Sequence, residues 1–250
     1  MGRLAPQGGM NYGFGMLSVV IPLHNEAGNI TPLVAEIRAA LSHIGAQIPH
    51  EIVLVDDGSS DGTQAEARLT GARVISHRKA CGQSAALLTG IRAAQGEWVV
   101  TLDGDGQNDP ADIPRLWQKA MEFDASGARV MVMGERTRRQ DSAARRWMSR
   151  TANRIREAML HDGVRDTGCS LKIFRRADFL ALPFFDHIHR YMPALMRREG
   201  VMTHAYPVNH RPRTCGVSKY GFWDRLWVSI ADLLGAYWLL QRRKLPEIVG

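Results

Sequence analysis

Val99-Val100-Thr101-Leu102-Asp103-Gly104-Asp105-Gly106-Gln107-Asn108-Asp109-Pro110 is the stretch that decides the fold. Residues 99 to 102 are β-branched or apolar, the composition of a strand enclosed on both faces. The run passes straight into a turn that holds Asp103 and Asp105 with one glycine between them. Carboxylates that close repel each other unless something positive sits between them. A divalent cation meets that need, because Mg²⁺ takes hard oxygen ligands and keeps positions open for a substrate phosphate. Gly104 and Gly106 let the backbone bend and let a bulky ligand come close, and Gln107 adds a neutral oxygen ligand. The competing account is a plain surface turn, since Asp and Gly are common turn formers. The hydrophobic strand in front, with Gln107 and Pro110 behind, favours the metal site.

Working outward, Leu17 to Pro22 reads as a first strand and His24 to Ile30 as a turn. Thr31-Pro32 reads as an N-cap with proline at the first helical position, opening a helix to about His43. Glu51 to Val55 is a second strand, ending in Asp56-Asp57-Gly58-Ser59-Ser60-Asp61-Gly62-Thr63. Val74 and Ile75 make a short third strand, and a small-residue helix, Ser84 to Ala94, precedes the fourth. Strands alternating with helices at this spacing predict βαβ units, hence an α/β fold with a mostly parallel sheet flanked by helices. Such sheets bind ligands at the carboxyl ends of their strands. His24 and Glu26, Asp56 and Asp57, and Asp103 and Asp105 are therefore expected to converge on one site. Carboxylates there can accept hydrogen bonds from a base N–H or a ribose hydroxyl. An ordinary helix N-cap is the alternative for Asp56 to Thr63. Both hold if Ser59 or Asp61 caps while Asp56 and Asp57 face the ligand.

A chain of 250 residues, 45% hydrophobic, is long enough for one large domain with a full core. A formal charge of +7 predicts an anionic partner: phosphate, nucleic acid or an anionic membrane. Cys81, Cys169 and Cys215 show neither zinc spacing nor a disulfide framework, which points to a reducing cytoplasm. Residues 1–16 are Gly-rich without an apolar core segment and read as a disordered leader, not a signal peptide or a span. The main domain is placed at 17–221, and 222–250 as an amphipathic helix with a basic tail.

Ile21-Pro22-Leu23-His24-Asn25-Glu26, Val55 to Thr63 and Asp103 to Gln107 together resemble family 2 glycosyltransferases of the GT-A fold, a Rossmann-like nucleotide-sugar-binding architecture. The likeness is closest to the polyprenyl-phosphate group typified by dolichyl-phosphate mannosyltransferase, and extends over about Leu17 to Gly221. More specific motifs carry it further: Gly134-Glu135-Arg136, Arg145 to Arg150, Asp166 to Lys172, and Arg213 to Tyr220. The resemblance implies that Pro22, His24, Glu26, Asp56 and Asp57 bind base and ribose, although relatives commonly carry Tyr or Phe at the position of His24. It implies that Asp103, Asp105 and Gln107 hold Mg²⁺ or Mn²⁺, with Gly104 beside the nucleotide sugar. Arg213 and Lys219 would clamp the diphosphate, and Arg136, Arg145 and Ser149 would grip the acceptor phosphate. Guanidinium forks suit phosphate oxygens, and Arg145 and Ser149, four apart, share one helix face.

The reaction implied is inverting transfer of a sugar from GDP-mannose or a UDP-sugar to a polyprenyl phosphate. Asp105 serves the leaving diphosphate, and Arg145 and Ser149 aim the acceptor. Asp166 is the candidate base if the acceptor is a saccharide or lipid hydroxyl, and a turn aspartate otherwise. His189 and Arg190 resemble the family as well, but no role is derived for them; a buried or helix-capping histidine is the plainer account. The Arg136–Arg156 run is alternatively a solvated face or an RNA-binding patch. Its single aromatic, Trp147, argues against stacking on nucleic acid, so no nucleic-acid partner is expected. A non-catalytic nucleotide-sugar sensor is the remaining alternative.

Within Phe222 to Leu240, a helical wheel places Phe222, Trp223, Leu226, Trp227, Ile230, Leu233, Leu234, Tyr237, Trp238 and Leu240 on one face. Asp224, Arg225, Ser229 and Asp232 fall on the other. The charges interrupt a run that is short for a span. It reads as an interfacial helix holding the protein peripherally on the inner face of the cytoplasmic membrane, or as a helix packed on the sheet, on a second copy or on a membrane-protein partner.

Overall fold

The computed structural model describes residues 15–45, 48–136, 154, 156–164, 166–212 and 222–243, with the backbone path only for 222–229. The elements run β1 (Leu17–Leu23), α1 (Ile30–Ser42), β2 (His50–Asp56), α2 (Thr63–Leu69), β3 (Arg73–Ser76), α3 (Gln83–Ala93) and β4 (Trp98–Thr101). A 3₁₀ turn (Pro110–Asp112) leads into α4 (Ile113–Ala125) and β5 (Val130–Arg136). After the next described stretch come β6 (Lys172–Arg175), α5 (Arg176–Leu180), α6 (Ile188–Arg198), β7 (Met202–Val208) and α7 (Phe222–Gln241).

The seven strands form one sheet in the order β3-β2-β1-β4-β6-β5-β7. Every pairing is parallel except those of β6, which runs antiparallel between β4 and β5. The chain winds outward from β1 through β2 to β3, then returns to lay β4 on the other side of β1. A reversal of this kind opens a crevice at the carboxyl ends of the two central strands.

Alternation along the strands buries both faces. Val19, Ile21 and Leu54 pack under α1 and α4 against Leu33, Ile37, Leu116 and Trp117. Val20, Val53, Val55 and Val99 pack under α3 and α6 against Leu87, Ile91, Tyr191 and Leu195. Each such apolar side chain contributes about 1.5–3 kcal/mol on burial. The continuous apolar runs seen in the sequence follow from this two-sided cover.

Helix α1 starts at Ile30, so Thr31 and Pro32 lie inside its first turn instead of capping it. Its free N–H groups are met from another element: Glu66 of α2 accepts from Gly28 N at 2.5 Å and Thr31 N at 2.8 Å. Against its burial, those bonds hold the Glu66 carboxyl below its ordinary range. No sequence-local cap signal was needed because a carboxylate thirty-five residues away does the work of one.

The leader expected over residues 1–16 falls almost wholly outside the described residues. Among those described, no helix is long and apolar enough to cross a membrane. Helix α7 divides its apolar residues between two faces. Leu233, Ala236, Leu239 and Leu240 pack toward the α6 side of the core, while Ile230, Leu234, Tyr237 and Trp238 are exposed. Asp232, expected on the outer polar face, turns inward because His187 Nδ1 is there to pair with it at 2.8 Å.

Gly90 of α3 rides directly on the sheet: a Cβ there would come within 2.4 Å of Val20 Cγ1 and 2.9 Å of Val55 Cγ2. Gly90→Val is expected to lower unfolding free energy by about 1–3 kcal/mol, read as a shifted urea midpoint; an unchanged midpoint would refute the close seating of α3.

Candidate functional site

The loops after β1 and β2 are tied to each other before any ligand arrives. Asn25, with φ +56°, donates its N–H to Ser59 Oγ at 3.0 Å and accepts from Ser60 N at 2.8 Å. Glu26 N donates to Thr63 Oγ1 at 2.7 Å, and Ala27 N to Asp61 at 3.3 Å. His24 is exposed at the strand end and donates through Nδ1 to the Asp57 carbonyl at 2.8 Å. Pro22 and Glu26 are half-buried beside it, and Asn29 Nδ2 donates to Glu26 at 2.9 Å. Asp61, not Ser59, supplies the local turn, accepting from Thr63 N at 2.9 Å.

The two carboxylates that end β2 are buried and engaged by their own chain. Asp56 accepts from Ser59 N at 3.2 Å. Asp57 accepts from Cys81 N and Gly82 N, each at 2.8 Å, and from His77 Nδ1 at 2.7 Å. Asp57 thereby fixes the β3–α3 loop, which the sequence did not suggest. Gly58 makes the approach feasible: its φ is +63°, and a Cβ would lie 2.6 Å from the Lys79 carbonyl carbon. Asp57, His77 and Cys81 also bring three ligand-type atoms within 4.8 Å of one another. With both Asp57 oxygens already accepting hydrogen bonds, this cluster reads as a loop anchor.

Asp103 and Asp105 lie where the sequence placed them, just past the end of β4 at the crevice. Burial, and next the Asp105 charge, push the Asp103 carboxyl above its ordinary range. Asp105 is 5% exposed and accepts from Gln107 N at 3.0 Å. Two crowded carboxylates in a desolvated turn fit a divalent cation on the chemistry of the donor set. Gln107 turns its amide nitrogen toward the Arg211 carbonyl at 3.5 Å, leaving the amide oxygen as the acceptor atom. Gly104 is needed for packing: a Cβ would sit 2.4 Å from Leu23 Cδ2, so the β4 turn lies against the end of β1.

Three polar groups around Asp103 were given no role at the site from the sequence. Gln83 Nε2 donates to Asp103 Oδ1 at 2.7 Å. Lys172, 3% exposed, stands opposite Thr101 in the sheet and donates to the Cys169 carbonyl. Burial lowers the pKa of its ammonium, against the attraction of Asp103. His189 is hydrogen-bonded through Nδ1 to the Ser84 hydroxyl at 2.8 Å, and burial, with the charges of Lys172 and Arg190, pushes its pKa down to about 3. The ring is neutral at pH 7, as a buried histidine would be, and the N-cap of α6 is His187 instead. With Arg190, these residues line a cavity of about 210 Å³. The available signal was a lysine inside the apolar run Leu171-Lys172-Ile173-Phe174, since unpaired lysine is almost never fully buried.

Arg136 ends β5 and is clamped by Asp166: Nε to Oδ2 at 2.7 Å, Nη2 to Oδ1 at 2.6 Å and backbone N to Oδ2 at 3.2 Å. Asp166, read in the sequence as a base for a hydroxyl acceptor or else a turn aspartate, has both oxygens accepting from this guanidinium. Arg156, at the far end of the basic run, is likewise buried against Asp162. Arg145, Ser149, Arg213 and Lys219 lie outside the described residues. The segment after β7 is anchored at the turn that follows β4, with Arg211 N donating to the Gln107 carbonyl at 2.9 Å and Arg211 Nη2 to Asp109 at 2.7 Å.

The family model for glycosyl transferase family 2 matches residues 18–182. The chain is 34% identical to the dodecaprenyl-phosphate galacturonate synthase of Rhizobium johnstonii, over 92% of this chain and 69% of the relative. It is 36% identical to the undecaprenyl-phosphate 4-deoxy-4-formamido-L-arabinose transferase of Pseudomonas aeruginosa, over 84% of this chain and 61% of the relative. The chain thus spans about two thirds of the length of these two relatives. In fold it is similar to mannosyl-3-phosphoglycerate synthase from Rubrobacter xylanophilus, with TM-score 0.67, 18% identity and coverage of 94% and 79%. It is also similar to glucosyl-3-phosphoglycerate synthase from Mycobacterium tuberculosis, solved with Mn²⁺ and UDP, with TM-score 0.63, 21% identity and coverage of 93% and 81%.

The raised Asp103 carboxyl has a stability consequence. The folded, metal-free protein holds the Asp103 proton more tightly than the unfolded chain does, so stability falls as pH rises from about 3.8 through the raised folded value. Asp103→Asn is therefore expected to melt above wild type at pH 7 in EDTA, the gap closing toward pH 3.8. A variant that melts lower at pH 7 would show that the two carboxylates are not in conflict.

Proposed function

Since the chain belongs to glycosyltransferase family 2 and is a GT-A glycosyltransferase, we propose that it moves a sugar from a nucleoside diphosphate to a polyprenyl phosphate. The observation that carries the reading is the crowded pair of half-buried Asp103 and buried Asp105 beside a cavity lined by cationic groups, in a chain with relatives named for polyprenyl phosphates. Pro22, His24, Glu26, Asp56 and Asp57 receive base and ribose, the last two chiefly by holding the loops that do so. Asp103, Asp105 and Gln107 hold Mg²⁺ or Mn²⁺, which when bound neutralises the leaving diphosphate. Arg213 and Lys219 add to that charge.

The acceptor phosphate is an anion at neutral pH and needs placement more than deprotonation. One of its oxygens forms the new bond to the anomeric carbon as the bond to the diphosphate oxygen breaks on the opposite face, inverting the centre. Arg136 meets the phosphate with a guanidinium that Asp166 has already oriented, so no rotamer search is needed on binding. Arg145 and Ser149 complete the grip. A hydroxyl acceptor is disfavoured because the one candidate base, Asp166, is bound by Arg136 on both oxygens.

The lipid acceptor places the enzyme peripherally on the inner leaflet of the cytoplasmic membrane. Supporting this, Ile230, Leu234, Tyr237 and Trp238 leave α7 with an exposed apolar stripe, Arg242 stacks over the Trp238 ring at 5.6 Å, and the chain carries +7.

With labelled GDP- and UDP-sugars and a polyprenyl-phosphate extract, label is expected in the lipid phase with Mn²⁺ or Mg²⁺ and not with EDTA. Asp105→Ala should lower transfer by about 10²-fold or more; full activity in that variant would sink the site, and label appearing only in water-soluble glycans would sink the acceptor. Trp238→Asp should weaken binding to vesicles containing anionic lipid about tenfold, from lost apolar burial. Unchanged sedimentation would remove α7 from the membrane.

A further inference from the structure

The sheet order gives the cavity beside Asp103 a place along the substrate. β2 and β1 end in the loops assigned to base and ribose, β4 ends at Asp103, and β6 with α6 forms the far side. A nucleotide sugar laid across these ends, base first and diphosphate at Asp103 and Asp105, puts its sugar in the cavity. This step rests on the function proposed above.

The cavity has an imbalance of charge. Asp103 is its one carboxylate among the described residues, already accepts from Gln83, and in the proposed function serves the cation with Asp105. Lys172 is 3% exposed, and its ammonium gives one of three N–H donors to the Cys169 carbonyl. Asp166, the other carboxylate near it, is taken by Arg136. His189 is neutral, and Arg190 stands at the exposed rim. Once Asp103 and Asp105 serve the cation, a buried ammonium with two donors to spare has no further carboxylate to meet it among the described residues, a costly arrangement unless a ligand provides one. The hydroxyls of a neutral sugar bring no charge, and an amino sugar would bring a second cation.

We propose that the transferred sugar carries a carboxylate, as a hexuronic acid does, and that Lys172 receives it with Arg190 at the rim. Lys172 is in this sense a specificity-determining residue. It reads the substituent on the sugar and takes no part in the bond exchange at the anomeric carbon.

The test is calorimetric binding of matched hexose and hexuronic acid donors, in UDP and GDP forms, to the full chain with Mn²⁺. The hexuronic acid is expected to bind about tenfold or more tighter than the hexose on the same nucleotide, the worth of a hydrogen bond to a charged group. Lys172→Met should bring that ratio close to one, and Lys172→Arg should restore part of it. A thermal melt checks that Lys172→Met folds; if it does not, Arg190→Gln, at an exposed position, decides by lowering the ratio about threefold. Equal affinities, or tighter hexose binding, overturn the proposal. So does a Lys172→Met loss common to both donors with a raised KM for polyprenyl phosphate, which would assign Lys172 to the acceptor. Hexuronic acid binding without transfer to lipid would overturn the acceptor reading and leave this one standing, whereas no binding of any donor would overturn both.

Discussion

Asp103 and Asp105 repel each other in a turn from which water is largely removed, and much of the molecule follows from having to accommodate that. Part of the relief comes from β6. This strand runs against the direction of its neighbours, and its register sets Lys172 opposite Thr101, two residues short of Asp103. A parallel strand there would need a crossover of its own, whereas the antiparallel insertion brings a lysine from a distant stretch straight to the strand end. Gln83, at the start of α3, donates to the same carboxylate from the other direction. Gly104 completes the arrangement by letting the turn lie on Leu23. The carboxylates are thus held in place by packing, by the Gln83 hydrogen bond and by the nearby Lys172 charge.

The nucleotide side of the crevice is organised by a different economy. Its loops have no regular structure, and a loop that must present fixed groups needs its backbone polar atoms satisfied. Asn25, Ser59, Ser60, Thr63, Asp61 and Glu66 do this pairwise across the two loops. Asp57 extends the lacing to a third loop through Cys81, Gly82 and His77. Asp57, picked out in the sequence for ligand contact, is therefore also what ties the β3–α3 loop to the end of β2.

The sheet and its central strands were legible because both faces are buried, so β1, β2 and β4 read as unbroken apolar runs. The paired carboxylates were legible because Asp103 and Asp105 are neighbours in the sequence, with one glycine between them. What stayed hidden depends on pairs far apart in the chain. Arg136 and Asp166 were both picked out, but as a phosphate grip and a base; only the fold shows them as one bidentate pair thirty residues apart. Lys172 was quoted inside a motif without a task, because its meaning comes from the β4–β6 register. On α7 the periodicity gave one apolar face where there are two. A helical wheel cannot tell that Asp232 has His187 to pair with and so belongs on the buried side.

That last contact joins two parts of the molecule that the proposed reaction requires to be close. A polyprenyl phosphate is confined to the plane of a membrane, so the site that receives its phosphate has to be within reach of that plane. The inward face of α7 meets the protein through Leu233, Ala236 and Asp232, and Arg243 adds an ion pair to Glu199 at 2.9 Å beyond the end of α6. The partner of Asp232 is His187, which with φ +63° forms the N-cap of α6; the next turn of α6 carries His189 and Arg190 into the cavity beside Asp103. One helix, α6, therefore lies between the exposed stripe of α7 and the cavity beside Asp103. If the stripe rests on lipid, the cavity's height above the surface is set by packing between two helices.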